Sequence, residues 1–401
     1  MSAIAYSQHE KPRERDWPLL AATVCLLALG ALFIYSATAG REALKGLPWY
    51  RETFFHQIIW FILGGAAAVA VCAADYSRLA RWSTVVYWLS IIALVAVLVV
   101  GVTRLGGRRW IQLPFNFALQ PSEFAKIAFI LMMASYLSRP VEELRQPRVF
   151  LKALGLTALP FFLILKEPDL GSALVFLPVS LAMMLVAGVP GRYLGRLVAG
   201  VGLFTVLLVA TVLFAPNLKF IKSYQKDRLV TYFGGDLALR RASPDQRKAL
   251  ERELRDKSYN VEQALISVGS GGLTGKGWRQ GTQYALGFLP SAGAHNDFIF
   301  SVIAEEEGFV GSVVILTLYG ALLFSGINIA SQARDRLGQL LAAGVATLLF
   351  CHVFINIGMN IRLMPVTGIP LPLLSYGGSS VICSLVAIGI LHNVHSYRRS
   401  Y

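Results

Sequence analysis

What most constrains this chain is a series of continuous apolar runs. Each is about 20 residues long, enough for a helix to cross a hydrocarbon core of about 30 Å. Lipid offers no hydrogen bonds to a peptide backbone, so such runs must be helices or the strands of a closed barrel. Barrel strands would alternate apolar with polar residues, and these runs do not. The expected class is therefore an all-α polytopic membrane protein. Composition agrees: of 401 residues, 55% are hydrophobic and 15% charged, against about 25% charged in a soluble domain.

Ten spans are expected: Trp17–Ala37, Phe54–Ala73, Trp82–Val102, Pro121–Leu137, Phe150–Leu165, Gly171–Val189, Leu197–Ala215, Phe298–Ile327, Leu340–Ile361 and Ser379–Ile390. An even number puts both termini on one side. Lys and Arg are more numerous in the short segments of that side, which predicts that residues 1–16 and the C-terminus are cytoplasmic. Residues 17–401 read as one transmembrane domain, with a large extracytoplasmic loop over about 216–297. Ala37-Thr-Ala39 has the spacing of a signal-peptidase site, but the apolar run before it exceeds an h-region, so a retained signal anchor is expected.

All four cysteines, Cys25, Cys72, Cys351 and Cys383, lie in apolar runs without metal-ligand spacing and read as small core residues. The net charge of +14 suits topology signals and anionic membrane lipids, not nucleic acid.

Charges at membrane depth are costly and therefore informative. Pro121-Ser-Glu123-Phe-Ala-Lys126 opens the fourth span, where proline suits the first helical turn. Glu123 and Lys126 are three apart and can pair. The pair reads either as a packing device or as a cation presented to an anionic ligand. Lys166-Glu-Pro-Asp169-Leu-Gly171 is a tight turn between the fifth and sixth spans, with Asp169 placed as a helix N-cap or as a site residue. Arg108-Arg109-Trp110 adds cations at the same membrane edge. These cations suit a phosphate-bearing lipid ligand.

In the long loop, Ser243-Pro244 predicts the start of a charged surface helix, and a second short helix is expected over about Val261–Val268. The run Gly269-Ser-Gly-Gly-Leu-Thr-Gly-Lys276-Gly could bring backbone N–H groups to a phosphate, although it lacks P-loop spacing. Asp297 ends the loop, two residues after His295 and just before Glu305-Glu306-Glu307. It reads as a helix N-cap, as a general base, or as the ligand of a divalent cation such as magnesium or manganese. Finally, Met364-Pro-Val-Thr-Gly-Ile-Pro-Leu-Pro-Leu-Leu-Ser375-Tyr376-Gly-Gly-Ser-Ser380 holds three prolines and three glycines in apolar sequence. It cannot be regular helix and reads as the re-entrant wall of a cavity.

In order, Arg109-Trp110, Gln120 to Lys126, Pro168-Asp-Leu-Gly171, the Gly269–Gly277 run, His295-Asn-Asp-Phe-Ile-Phe300, Ala304-Glu-Glu306 and Leu374-Ser-Tyr-Gly-Gly-Ser-Ser380 resemble the SEDS family (shape, elongation, division and sporulation proteins). The resemblance runs from about Trp17 to His392, and Thr367-Gly-Ile-Pro-Leu-Pro372 looks like the RodA branch. It implies a ten-span peptidoglycan glycosyltransferase of the bacterial cytoplasmic membrane, serving elongation and shape. Such a protein polymerises lipid II into undecaprenyl-pyrophosphate-linked glycan at the outer face, beside a class B penicillin-binding protein and the elongation machinery. It also implies that Asp297 is the family's essential acid, that Glu123 and Lys126 are its intramembrane pair and that Asp169 is its outer-edge acid. With these, Arg109, Lys276, His295, Ser375 and Tyr376 are candidate substrate-binding residues. The chain departs from the pattern in a charged stretch of about Leu237–Asn260 and in longer spacing at Ser291-Ala-Gly-Ala294. Irregular membrane backbone and intramembrane charge are also transporter features, so a precursor flippase and a non-catalytic scaffold are the rival readings.

Overall fold

A computed structural model describes residues 15–44, 46, 48, 52–104, 107–112, 118–214, 258–289 and 293–398. The described helices are α1 (Trp17–Leu44), α2 (Thr53–Ala73), α3 (Tyr76–Arg81), α4 (Ser83–Val100), α5 (Pro121–Leu137), α6 (Val141–Leu144), α7 (Pro147–Lys166), α8 (Leu170–Ala187), α9 (Gly191–Phe214), α10 (residues 258–270), α11 (Thr282–Ala285), α12 (Ile299–Ser331), α13 (Arg336–Asn360) and α14 (Gly378–Ser396). Eight of them are long and apolar enough to cross a membrane. With α5, 17 residues long and carrying Glu123 and Lys126, and α9, each of the ten expected spans has a helix. The protein is an all-α polytopic membrane protein.

Two helices form the centre of the bundle. Along α5, 13 of 17 residues are buried, and α13 packs against α5, α8, α12 and α14. Between helices in lipid there is little hydrophobic drive, so small residues that allow close approach decide who packs with whom. A Cβ at Gly64 of α2 would lie 2.7 Å from Leu385, and one at Gly389 of α14 would lie 2.9 Å from Ala68 O. These two glycines let α2 lie along α14.

Polar contacts divide the bundle into two ends. At one end, Asp16 caps α1 by accepting from Leu19 N–H (2.9 Å) and lies near Ser325 and His395 of α12 and α14. Arg336 of α13 donates there to the carbonyls of Arg139 and Ala187. At the other end stand the C-termini of α1, α4, α7 and α13 and the N-termini of α2, α5, α8, α12 and α14, with every candidate site residue.

That second end also holds a feature absent from the expectation. A three-stranded antiparallel sheet, β1 (Val102–Arg104), β2 (Gly107–Gln112) and β3 (Ala118–Leu119), joins α4 to α5. Val102 pairs with Trp110 and Ile111 with Leu119, and the register slips by a bulge after Val102. Other differences are local. The helix expected over Val261–Val268 covers residues 258–270, and α12 is interrupted at Gly308 (φ 64°, ψ −157°). Residues 1–14 of the tail expected to be cytoplasmic, the helix expected at Ser243-Pro244, most of the charged stretch, and Ser291-Ala292 lie outside the described residues.

Candidate functional site

The proline- and glycine-rich stretch after α13 forms a wall that is not regular helix, as its composition predicts. It is irregular from Ile361 to Gly377, and its backbone groups are met by side chains and neighbouring loops, as burial at membrane depth requires. Ser375 Oγ donates to Asn296 O (2.6 Å) and accepts from Leu371 N–H (2.7 Å). Tyr376 N–H donates to His295 O (2.9 Å), and the His295 and Tyr376 rings meet edge to face at 5.4 Å. Gln57 of α2 donates to Ser375 O and accepts from Gly377 N–H. Ser375, Tyr376 and His295 thus form one latch between the wall and the segment before α12.

Asp297 sits in that latch, partly exposed. Its backbone carbonyl accepts from Asn356 Nδ2 and Asn360 Nδ2, each at 3.0 Å. Asn356 also donates to Ile369 O (2.7 Å) and Ser301 donates to Asn360 Oδ1 (2.6 Å). The N-cap of α12 is Phe298, without a side-chain hydrogen bond, so capping is not why a carboxylate stands at 297. A Cβ built at Gly368 (φ 77°) would lie 3.5 Å from Asp297 Oδ2. The carboxylate therefore lies against bare backbone of the wall.

Asp169 stands at the start of α8, whose first turn meets the same part of the wall. It does cap α8, accepting from Ser172 N–H (3.1 Å). The next turn is so close to the wall that a Cβ at Gly171 would lie 2.8 Å from Thr367. Asp169 Oδ2 accepts from Gln120 Nε2 (3.1 Å), and Arg109 Nη1 of β2 lies 3.8 Å from Asp169 Oδ1. Arg109 also donates to Pro168 O, and Gln120 N–H donates to Ser379 Oγ of α14 (3.0 Å). The small sheet is what carries Arg109 to the α7–α8 turn.

Deeper in the bundle, Lys126 Nζ donates to Glu123 Oε1 (2.6 Å) and lies 2.9 Å from His352 Nε2. All three residues are buried, with at most 3% of their surface exposed. The pair expected from the sequence is therefore a triad whose third member comes from α13.

Lys276 lies apart from these groups. It donates to Glu305 Oε1 (2.7 Å) and to Thr282 Oγ1 (2.8 Å). Glu305 Oε1 also accepts from the N–H groups of Thr282 and Gln283. The glycine-rich run packs on the backbone of α12: Lys276 N–H donates to Glu305 O, Gly277 N–H to Glu306 O, and Phe309 N–H to Gly272 O. Glu306 in turn accepts from Ser36 of α1 (2.6 Å). Glu305 and Glu306 tie down the loop and α1. Among the described residues, no three His, Cys, Asp or Glu side chains gather as metal ligands.

Gln57, His352, Asn356 and Asn360 are absent from the expected site. Their signal was nevertheless present: polar residues inside apolar runs, with His352, Asn356 and Asn360 at a four-residue spacing that puts them on one helix face.

Fold and site together define a polytopic helical membrane protein with a cluster of polar side chains beside an irregular wall. The family model described as "Cell cycle protein" for FtsW, RodA and SpoVE matches residues 17–400, and the chain belongs to that family. It is 36% identical over 379 residues to the peptidoglycan glycosyltransferase MrdB of Escherichia coli (strain K12), covering 93% of each chain. It is 33% identical over 429 residues to the peptidoglycan glycosyltransferase RodA of Treponema pallidum (strain Nichols), covering 95% of this chain and 97% of that one. Among solved structures, it matches a chain of one described as "Structural coordination of polymerization and crosslinking by a peptidoglycan synthase complex". The TM-score is 0.74 at 30% identity, over 96% of this chain and 99% of that one.

Proposed function

We propose that this chain is a peptidoglycan glycosyltransferase, polymerising lipid II at the outer face of the bacterial cytoplasmic membrane. Both termini are cytoplasmic in this reading, and a class B penicillin-binding protein is the partner. The observation that carries it is the placement of Asp297. Two asparagines fix its backbone and Gly368 of the wall lies against its carboxylate, while the adjoining Thr367 meets the first turn of α8, which Asp169, paired with Arg109, caps.

In this reading Asp297 takes the proton of the acceptor hydroxyl as that oxygen attacks the donor's anomeric carbon. The bond from that carbon to the undecaprenyl pyrophosphate breaks, and the leaving group departs with the electron pair. Arg109, the part-exposed cation, meets the charge that develops on it, which lowers the barrier. Asp169 and Gln120 hold Arg109 and the α8 terminus in place. Lys126 contributes a buried positive charge from below. His295, Ser375 and Tyr376 keep the segment carrying Asp297 in register with the wall, and Lys276 shapes the loop above. A single protein carboxylate suits only a cation that fills its shell from phosphate and water, as magnesium does. Such an ion would rest on Asp297 and offset phosphate charge.

The test is polymerisation of purified lipid II in detergent, where a flippase has no compartments to work between. Wild type is expected to form polymer and Asp297→Asn to form none. Near-normal polymer from the variant would remove Asp297 from the chemistry, and no polymer from wild type would favour transport or scaffolding.

A further inference from the structure

The α7–α8 turn holds a group that this mechanism does not use. Glu167 is fully buried, and among the described residues neither of its carboxylate oxygens has a hydrogen-bond partner. A buried carboxylate left that way carries a large desolvation cost, which protonation removes. The charged groups facing it are Asp169 of the α8 cap and Arg109 of β2. On the neighbouring α5, Glu123 and Lys126 are engaged with each other and with His352. On α7 itself Lys166 points to the exterior. Two acids therefore share one guanidinium. Asp169 has taken it, at the long distance of 3.8 Å, while Arg109 Nε is buried with no acceptor. An acid without a donor and a donor without an acceptor stand in the same cluster.

We propose that Glu167 is a proton-bearing positioning residue: neutral, it leaves Arg109 to Asp169 and to an incoming phosphate, and on ionisation it draws Arg109 to itself. The phosphate part rests on the function proposed above; the proton does not. Burial, reinforced by Asp169 and opposed by Arg109, raises the Glu167 carboxyl from its ordinary 4.5 to about 8. The sign follows from linkage. The neutral form's contribution to stability is complete below pH 4.5 and is lost as pH rises through about 8. Over the upper part of that window the proton leaves for solvent and Arg109 is captured.

Infrared difference spectra of the purified full chain in detergent, titrated across pH 8, test the proton directly. A protonated-carboxyl band that disappears near that pH is expected in wild type and absent in Glu167→Gln. In Arg109→Gln its midpoint moves upward, because Arg109 is the group lowering it. No such band in wild type, or the same band in Glu167→Gln, overturns the proposal. Binding of undecaprenyl pyrophosphate tests the consequence. Wild-type affinity is expected to fall about tenfold per pH unit above the midpoint, while Glu167→Gln stays flat. Equal pH dependence in both proteins overturns the positioning role. A titrating band without binding at any pH upholds the proton and overturns the pyrophosphate reading of Arg109.

Discussion

Lys126 is held between Glu123 and His352 in a region where each charge has been stripped of water. Such a cluster contributes little net stability as a unit, yet removing one partner strands the other. Lys126→Met is therefore expected to cost about 3–5 kcal/mol, read as a fall in the thermal midpoint in detergent. Adding Glu123→Gln should return part of that loss, because the orphaned carboxylate is gone. If the doubly changed protein regains stability but not polymerisation, the pair serves the ligand. If both return together, the pair is a packing device. The sequence showed this pair and its three-residue spacing; it did not show that the histidine of a distant helix completes it.

The glycine-rich run shows what one element's composition does for packing. The sequence leaves open an approach of its N–H groups to a phosphate; in the structure its glycines admit the backbone of α12. A Cβ at Gly275 (φ 79°) would lie 2.0 Å from Glu306 O, and one at Gly271 would lie 1.9 Å from Ala304 O. The break in α12 at Gly308 accommodates the same contact, with a Cβ there 2.3 Å from Gly275 N. Gly275→Ala combines a left-handed backbone with this clash and is expected to destabilise the loop by about 1–3 kcal/mol. Limited proteolysis should then cut between Gly269 and Leu286 faster than in wild type, and an unchanged rate would contradict the packing. Asp297 follows this loop directly, so polymerisation should fall as well.

Among the described residues, Glu123, Lys126, Glu167, Asp169, Glu305, Glu306 and His352 are buried at the end where α8, α12 and α14 begin, against Asp16 and His395 at the other. Orientation in the membrane then decides which compartment supplies the substrate. In a background with the four native cysteines replaced, Leu273→Cys, in the exposed part of the glycine-rich run, should react with an impermeant maleimide in intact cells. Ser331→Cys, at the exposed C-terminal end of α12, should react only after permeabilisation. The reverse pattern would turn the molecule over and exclude an outer-face polymerase. Arg108 and Arg109 near the site weaken the short-segment charge bias on which orientation rests, and the labelling decides it directly.

Run length and charge depth are local properties, and from them the spans, the irregular wall and the intramembrane pair were legible in the chain. The motif order carried the family, and with it Asp297. Pairing between distant segments is not local. Nothing in the spacing of Asn356 and Asn360 tells that their amides hold the carbonyl of Asp297, or that a short sheet swings Arg109 onto Asp169. Nor does an acid between a lysine and a proline declare itself buried and unpartnered. Those facts depend on which helices touch, and small residues such as Gly64, Gly171 and Gly389 decide that by allowing close approach where larger side chains would prevent it.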